Sequence, residues 1–284
     1  MIVSPAWYKG EGRTYAMESY LNNLGFETET HPQCLLKEGQ FAGTVKERVN
    51  AIHEAFLDET IDAIVCSAGG YGSLQLLDSL DYKLIKQNSK PFVGYSDMTA
   101  LLNAIYTKTG LITYHGPMGC CMSDKENEKT TQSFIDIVVE AKNEIDLAGD
   151  CIKEGEASGI LLGGNMTIFD QLIGTEYMPK AENVILFLED TDDEKINELD
   201  KKLLHLKYSG FLKNVRGVIL GEMDKLDDNK VAFGKSAKEL IGQYLPNIPA
   251  VQNVKCGHGD SLLTFPVGAK ATLIVLDKNS QLQF

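Results

Sequence analysis

The chain has 284 residues, 43% apolar and 24% charged, which is enough to build a core without disulfide or metal staples. Its 27 Lys and Arg against 40 Asp and Glu give a net charge of −13, which argues against a nucleic-acid partner and against an anionic membrane partner. No apolar run reaches the roughly 18 residues of a membrane span, and Met1 to Trp7 lacks the basic and apolar regions of a signal peptide, so a cytoplasmic location is expected.

Met1 to Val3 reads as the end of a strand, and Thr14 to Leu24 as a helix stopped by Gly25. Glu27 to His31 reads as a short strand. Thr44 followed by Glu47 predicts a capping box, opening a helix with Val45, Val49, Ile52, Ala55 and Phe56 on one face. Ile61 to Ser67 is a buried strand that runs into the Gly69-Gly70 turn, with a helix over Leu74 to Leu80. Pro91 to Tyr95 is another short strand, followed by Ser96-Asp97 and a helix from Met98 to Tyr106. This alternation predicts an α/β fold whose N-terminal part is a doubly wound, mostly parallel sheet with helices. In such sheets sites form at the carboxyl ends of strands, where Gly69, Gly70 and Ser96 all fall.

The charged, partly helical stretch 123–156 reads as a connector between residues 1–122 and 157–284. The second half has strand-like runs at Ile160 to Asn165, Val184 to Leu188, Gly217 to Gly221 and Ala271 to Val275. Helices are expected over Ile196 to Lys207 and Ser236 to Tyr244. This half is expected to form an α+β, barrel-like domain. The six cysteines (34, 66, 120, 121, 151 and 256) form no CxxC pair and have no zinc-ligand spacing, so free thiols and no metal site are expected.

Three features carry possible chemistry. Gly94-Tyr95-Ser96-Asp97 sits between a strand and a helix. Read locally it is either a nucleophile elbow, with the Asp97 N–H free for an oxyanion, or a plain N-cap serine. Ser67-Ala68-Gly69-Gly70-Tyr71-Gly72 is either an anion-cradling turn or only a tight turn; it is neither a P-loop nor a dinucleotide fingerprint. Among five histidines, His53 and His205 lie in charged helical stretches and His31 precedes Pro32. His115 follows a strand, and His258 stands between glycines in a loop. Glu189 and Asp190 end the apolar run that begins at Val184.

Taken together these pieces are more specific than any one of them. Phe41-Ala42-Gly43, Gly69-Gly70-Tyr71-Gly72, Lys90 to Asp97, His115-Gly116-Pro117, Gly163-Gly164-Asn165, Phe187 to Asp190 and Gly257-His258 occur in an order that resembles the LD-carboxypeptidases of serine peptidase family S66. That group includes muramoyl-tetrapeptide carboxypeptidases and microcin C immunity carboxypeptidases. The resemblance covers about residues 1 to 275. It implies a catalytic triad of Ser96 as nucleophile, Glu189 as acid and His258 as base, split between two domains. It further implies an oxyanion hole from the N–H groups of Asp97 and Gly70, substrate-binding residues Gly69, Asn165 and His115, no cofactor, and a homodimer. The implied substrate is a small peptide, a murein tetrapeptide losing terminal D-alanine, or else a peptidyl or aminoacyl nucleotide in the immunity branch.

Two departures from the family pattern stand out. Many members carry arginine just before the Gly-Gly-Tyr-Gly turn, where this chain has Ala68, and the first strand is short. Two readings of another class are weaker. A peptide-binding protein that keeps the pocket is disfavoured by the presence of all three triad residue types. A nucleotide-binding Rossmann protein is disfavoured by the missing phosphate fingerprint.

Overall fold

A computed structural model describes residues 1–119, 122, 128–191, 195–222, 228–245 and 247–284. Its strands form two sheets. The first contains β1 (Ile2–Val3), β2 (Ile64–Cys66), β3 (Phe92–Gly94) and β4 (Thr113–His115), all parallel and in chain order. Alternate side chains of these strands bury on opposite faces, as the pleat requires. Ile2, Val65 and Val93 pack with Met17 and Leu21 of helix α1 (Glu11–Asn23). Val3, Ile64, Cys66 and Phe92 pack with Val49, Ile52 and Phe56 of helix α2 (Val45–Leu57). Helices therefore cover both faces, although the strand order itself does not reverse.

The Thr44–Glu47 capping box is present at the start of α2. Helix α1 begins at Glu11, earlier than the pattern suggested, and the stretch expected as a strand over Glu27 to His31 supplies a single bridge, Thr30 to Ile2. The expected helix over Leu74 to Leu80 is a 3₁₀ helix, Ser73–Ser79. It ends where the Asp81 side chain accepts from Leu84 N–H and opens helix α3, Tyr82–Gln87.

The second sheet has eight strands in the order β5-β13-β12-β7-β8-β9-β10-β6. Its parallel centre is β7 (Gly155–Asn165), β8 (Val184–Glu189), β9 (Val215–Leu220) and β10 (Ala250–Gln252). The antiparallel strands β12 (Lys270–Val275) and β13 (Gln281–Gln283) extend one side. The edge strands β5 (Glu144–Asp146) and β6 (Asp150–Lys153) are consecutive in the chain. Residues 147–149 span only about 14 Å when extended, so the sheet must curl until its two edges are one turn apart. Gly149 is needed in that turn, because a Cβ there would lie 2.5 Å from the Gln252 carbonyl oxygen.

The stretch expected as a connector thus supplies two strands to the second sheet. The chain also returns to the first sheet, where β11 (Phe265–Val267) pairs antiparallel with β4. The two sheets meet through helix α4 (Thr99–Thr109), which follows β3. Its Thr99 Oγ1 accepts from Asn165 N–H at 2.9 Å, and its Asn103 Nδ2 donates to the Gly163 carbonyl at 2.9 Å. A Cβ at Gly164 would lie 2.5 Å from Thr99 Oγ1, so α4 docks there only on glycine, while one at Gly163 would lie 1.8 Å from the Phe187 carbonyl oxygen of the neighbouring strand. This docking brings the carboxyl ends of β3 and β8 together.

Candidate active site

Ser96 leaves β3 at φ +60°, the left-handed region, which costs a non-glycine residue about 1–2 kcal/mol. Its hydroxyl caps no helix. It lies 3.0 Å from His258 Nε2 instead, so the local alternative of an N-cap serine is not what the structure contains.

His258 Nδ1 lies 2.7 Å from Glu189 Oε2. A carboxylate only accepts, so Nδ1 carries the proton and the neutral ring turns its Nε2 lone pair toward the Ser96 hydroxyl. Glu189 ends β8 and is 1% exposed, whereas the His258 side chain keeps 24% of its surface open. The carboxylate sits tightly because Gly257 and Gly221 leave room: a Cβ at Gly257 would lie 2.5 Å from Glu189 Oε2, and one at Gly221 2.9 Å from Glu189 Cβ. The stem of the His258 loop is tied by Lys255 Nζ, which donates to Glu222 Oε1 at 2.5 Å.

Gly69 lies directly against the serine, where a Cβ would sit 3.2 Å from Ser96 Oγ. Gly70 has φ +106°. Asp97 is buried and its side chain turns away from the serine: its carboxylate accepts from Ser73 N–H at 2.8 Å. Burial pushes its pKa up, while the Ser73 and Gly72 hydrogen bonds and the Arg48 charge pull it down.

Two residues expected to bind substrate are buried. His115 is fully buried, and its Nε2 donates to the Cys256 carbonyl at 2.8 Å. Its ring meets Tyr95 and Phe187 edge-on. Buried there, it holds the loop that leads into Gly257 and His258. Asn165 is 4% exposed and both polar atoms of its side chain are engaged. Its Oδ1 accepts from Ile168 N–H at 3.2 Å, capping helix α5 (Met166–Asp170), and its Nδ2 donates to Asp190 Oδ1 at 3.1 Å. Asn165 joins β7 to β8, directly opposite Glu189 in the strand register.

The reading of residue types missed three contributors. Arg48 is 1% exposed, and its guanidinium donates to the Pro5 and Gly72 carbonyls. Lys202 approaches Asp190 Oδ2 at 3.2 Å, behind Glu189. It stands on the buried stripe with Leu199, Leu203 and Leu206 in helix α6 (Ile196–Tyr208), and a lysine on such a stripe is the signal that could have found it. Trp7 packs on Gly70, a contact that no local pattern shows. His53, His205 and His31 are engaged elsewhere, with Asp81 N–H, Asp170 and Glu54. The described cysteines 34, 66, 151 and 256 are free thiols, and Cys120 and Cys121 lie outside the described residues. Among the described residues no His, Cys, Asp and Glu cluster is arranged for a metal, and no helix is long and apolar enough to cross a membrane.

Burial of His115 gives a testable pH dependence. Burial pushes its pKa below the usual histidine value, against the opposing pull of Glu189 and the Cys256 carbonyl. Below about pH 6.5 the unfolded chain binds a proton that the native ring refuses, so this contribution to stability is present above that pH and lost as pH falls. His115→Gln keeps an amide donor for Cys256 and removes the titration. Its unfolding free energy between pH 6.5 and 5 should fall less steeply than wild type, by at most about 1.4 kcal/mol per pH unit. Equal slopes in urea titrations would contradict this placement of the imidazole.

Comparison with known proteins shows the family to which this fold belongs. Residues 1–116 match the family model of the LD-carboxypeptidase N-terminal domain, and residues 158–273 match that of the LD-carboxypeptidase C-terminal domain. A Bacillus subtilis (strain 168) protein named "Probable murein peptide carboxypeptidase" is 29% identical over 93% of this chain and 85% of its own length. A crystal structure of muramoyltetrapeptide carboxypeptidase from Oxalobacter formigenes is 25% identical with TM-score 0.90, over 99% of this chain and 96% of that one. MccF in complex with glutamyl sulfamoyl guanosine is likewise 25% identical with TM-score 0.89, over 99% and 94%. The chain therefore belongs to the LD-carboxypeptidases, the serine carboxypeptidases of peptidase family S66.

Proposed function

We propose that this enzyme hydrolyses an L,D-peptide bond and releases terminal D-alanine from a murein tetrapeptide through an acyl-enzyme. The observation that carries this reading is the hydrogen-bonded chain from Ser96 through His258 to Glu189. In the proposed mechanism His258 Nε2 takes the Ser96 proton as the oxygen attacks the scissile carbonyl. Glu189 keeps the ring in the tautomer with Nδ1–H and stabilises the imidazolium. The Asp97 and Gly70 N–H groups receive the oxyanion. The imidazolium then gives its proton to the leaving amine of D-alanine. Water, deprotonated by the same ring, splits the Ser96 ester and frees the shortened peptide.

The left-handed turn supports these roles, because it lifts the serine side chain out of the sheet toward His258. In this reading residues 1–122 carry the nucleophile and residues 157–284 carry its acid–base partners. The reaction would serve murein recycling in the cytoplasm, by a homodimer.

A second reading is favoured by the fold shared with MccF bound to glutamyl sulfamoyl guanosine: cleavage of an aminoacyl-nucleotide amide by the same triad. Incubating the pure protein with a D-alanine-terminated murein tetrapeptide, beside an aminoacyl sulfamoyl adenosine, separates the two by mass spectrometry. Release of alanine from the tetrapeptide is the expected result; cleavage of the nucleotide alone would replace the first reading with the second. Because Ser96 supplies the nucleophile in either case, EDTA should leave turnover unchanged. Loss of activity restored by zinc would contradict the mechanism.

A further inference from the structure

The turn Gly69-Gly70-Tyr71-Gly72 has little means of holding its own shape. Three of its four residues are glycine, which brings the most backbone freedom and no packing surface. Yet a donor for a developing oxyanion must be fixed before the reaction, to within a few tenths of an ångström. The order must come from outside the turn.

Two aromatic faces and one cation supply it. A Cβ at Gly70 would lie 2.3 Å from Trp7 Cδ2 and 2.6 Å from Trp7 Cγ and Cε3, so the indole is seated on the Gly70 backbone. A Cβ at Gly72 would lie 2.8 Å from Phe41 Cε1 and 2.9 Å from an Arg48 guanidinium nitrogen. Trp7 and Phe41 are themselves joined by a β-bridge, with Tyr8 N–H donating to the Gln40 carbonyl at 2.9 Å and Ala42 N–H to the Ala6 carbonyl at 3.0 Å. Arg48 ties the Trp7 segment to the turn, donating to the Pro5 carbonyl at 2.8 Å and to the Gly72 carbonyl at 3.1 Å. On the other side of the turn Gly69 abuts Ser96. The layers therefore run Ser96, Gly69, Gly70, Trp7.

We propose that Trp7 is a positioning residue for catalysis: its indole is the backing wall that fixes the Gly70 peptide as an oxyanion donor. The inference rests on the assignment of Gly70 to the oxyanion hole. Trp7 keeps 38% of its surface open and joins neither apolar core cluster, so its place is at the turn rather than in the fold's interior. It is also the chain's single tryptophan, so its emission reports on this wall alone.

The test compares wild type with Trp7→Ala, Trp7→Leu and Trp7→Phe. Two rates are read: D-alanine release from a murein tetrapeptide, and phosphonylation of Ser96 by a fluorophosphonate, whose phosphoryl oxygen enters the same hole whatever the natural substrate. Trp7→Ala should lower kcat about 10- to 100-fold, with KM within about threefold, and slow phosphonylation in parallel, less than the loss of a whole donor. Trp7→Leu, which restores bulk without a flat face, should keep the wild-type melting temperature but stay slow. Trp7→Phe should recover most of both rates. Unchanged kcat and labelling in Trp7→Ala, a rise in KM alone, or full recovery by leucine would each overturn the proposal. A wild-type protein that neither labels at Ser96 nor releases D-alanine would instead overturn the reading of the site on which it rests.

Discussion

Replacing Ser96 with alanine should lower kcat for D-alanine release by at least about 10³-fold while leaving the fold intact, since in the proposed mechanism no other group supplies the nucleophile. The hydroxyl makes its hydrogen bond to His258 and caps no helix, so its removal takes nothing from the scaffold. The backbone adds a second, independent expectation. Alanine inherits the strained φ of +60°, but glycine adopts it freely. Ser96→Gly should therefore be equally inactive yet more stable than Ser96→Ala by about 1 kcal/mol, seen as a higher melting temperature. The strained φ thus falls at the residue whose hydroxyl meets His258 Nε2. Near-normal turnover by Ser96→Ala would remove the serine from the mechanism.

Glu189→Gln should be nearly as severe, at about 10²- to 10⁴-fold in kcat, for a different reason. The glutamine amide can donate to His258 Nδ1, which would drive the proton to Nε2 and point a donor, not a lone pair, at Ser96. Shape and volume barely change, so the melting temperature should stay close to wild type and KM should hold. Loss of binding with kcat preserved would mean that the carboxylate serves the substrate instead. The buried seat of Glu189, cut by Gly257 and Gly221, makes the isosteric change informative: Glu189→Ala would open a hole in the β8 terminus and confuse the two effects.

Much of this site is legible in the residues because its pieces are local. A short apolar strand, Phe92 to Gly94, followed at once by Ser96 and a helix is a pattern of neighbours, and so is the Thr44–Glu47 box. Order along the chain joined Ser96, Glu189 and His258 only through resemblance, since nothing in their spacing places them within hydrogen-bond reach. The left-handed backbone of Ser96 leaves no mark on the residue itself.

Other features were hidden for physical reasons. Residues 144–153 look like a charged connector because β5 and β6 are edge strands, and edge strands carry exposed charges such as Glu144, Asp146 and Lys153 that discourage further pairing. His115 and Asn165 have side chains of a type that binds ligands, but polar groups placed at the ends of buried strands must first satisfy the main chain around them. Cys256 and Ile168 claim those side chains, over sequence distances that differ greatly. Trp7 over Gly70 and Arg48 between Pro5 and Gly72 are long-range contacts that only the fold creates.

The most direct test of the central claim, that Ser96 is the nucleophile activated by His258, is stoichiometric labelling with a fluorophosphonate followed by peptide mapping. One phosphonyl group per chain is expected, on Ser96, with D-alanine release lost in proportion and with no labelling in His258→Ala. Complete labelling that leaves turnover intact, or inactivation with the adduct on another residue, would contradict it.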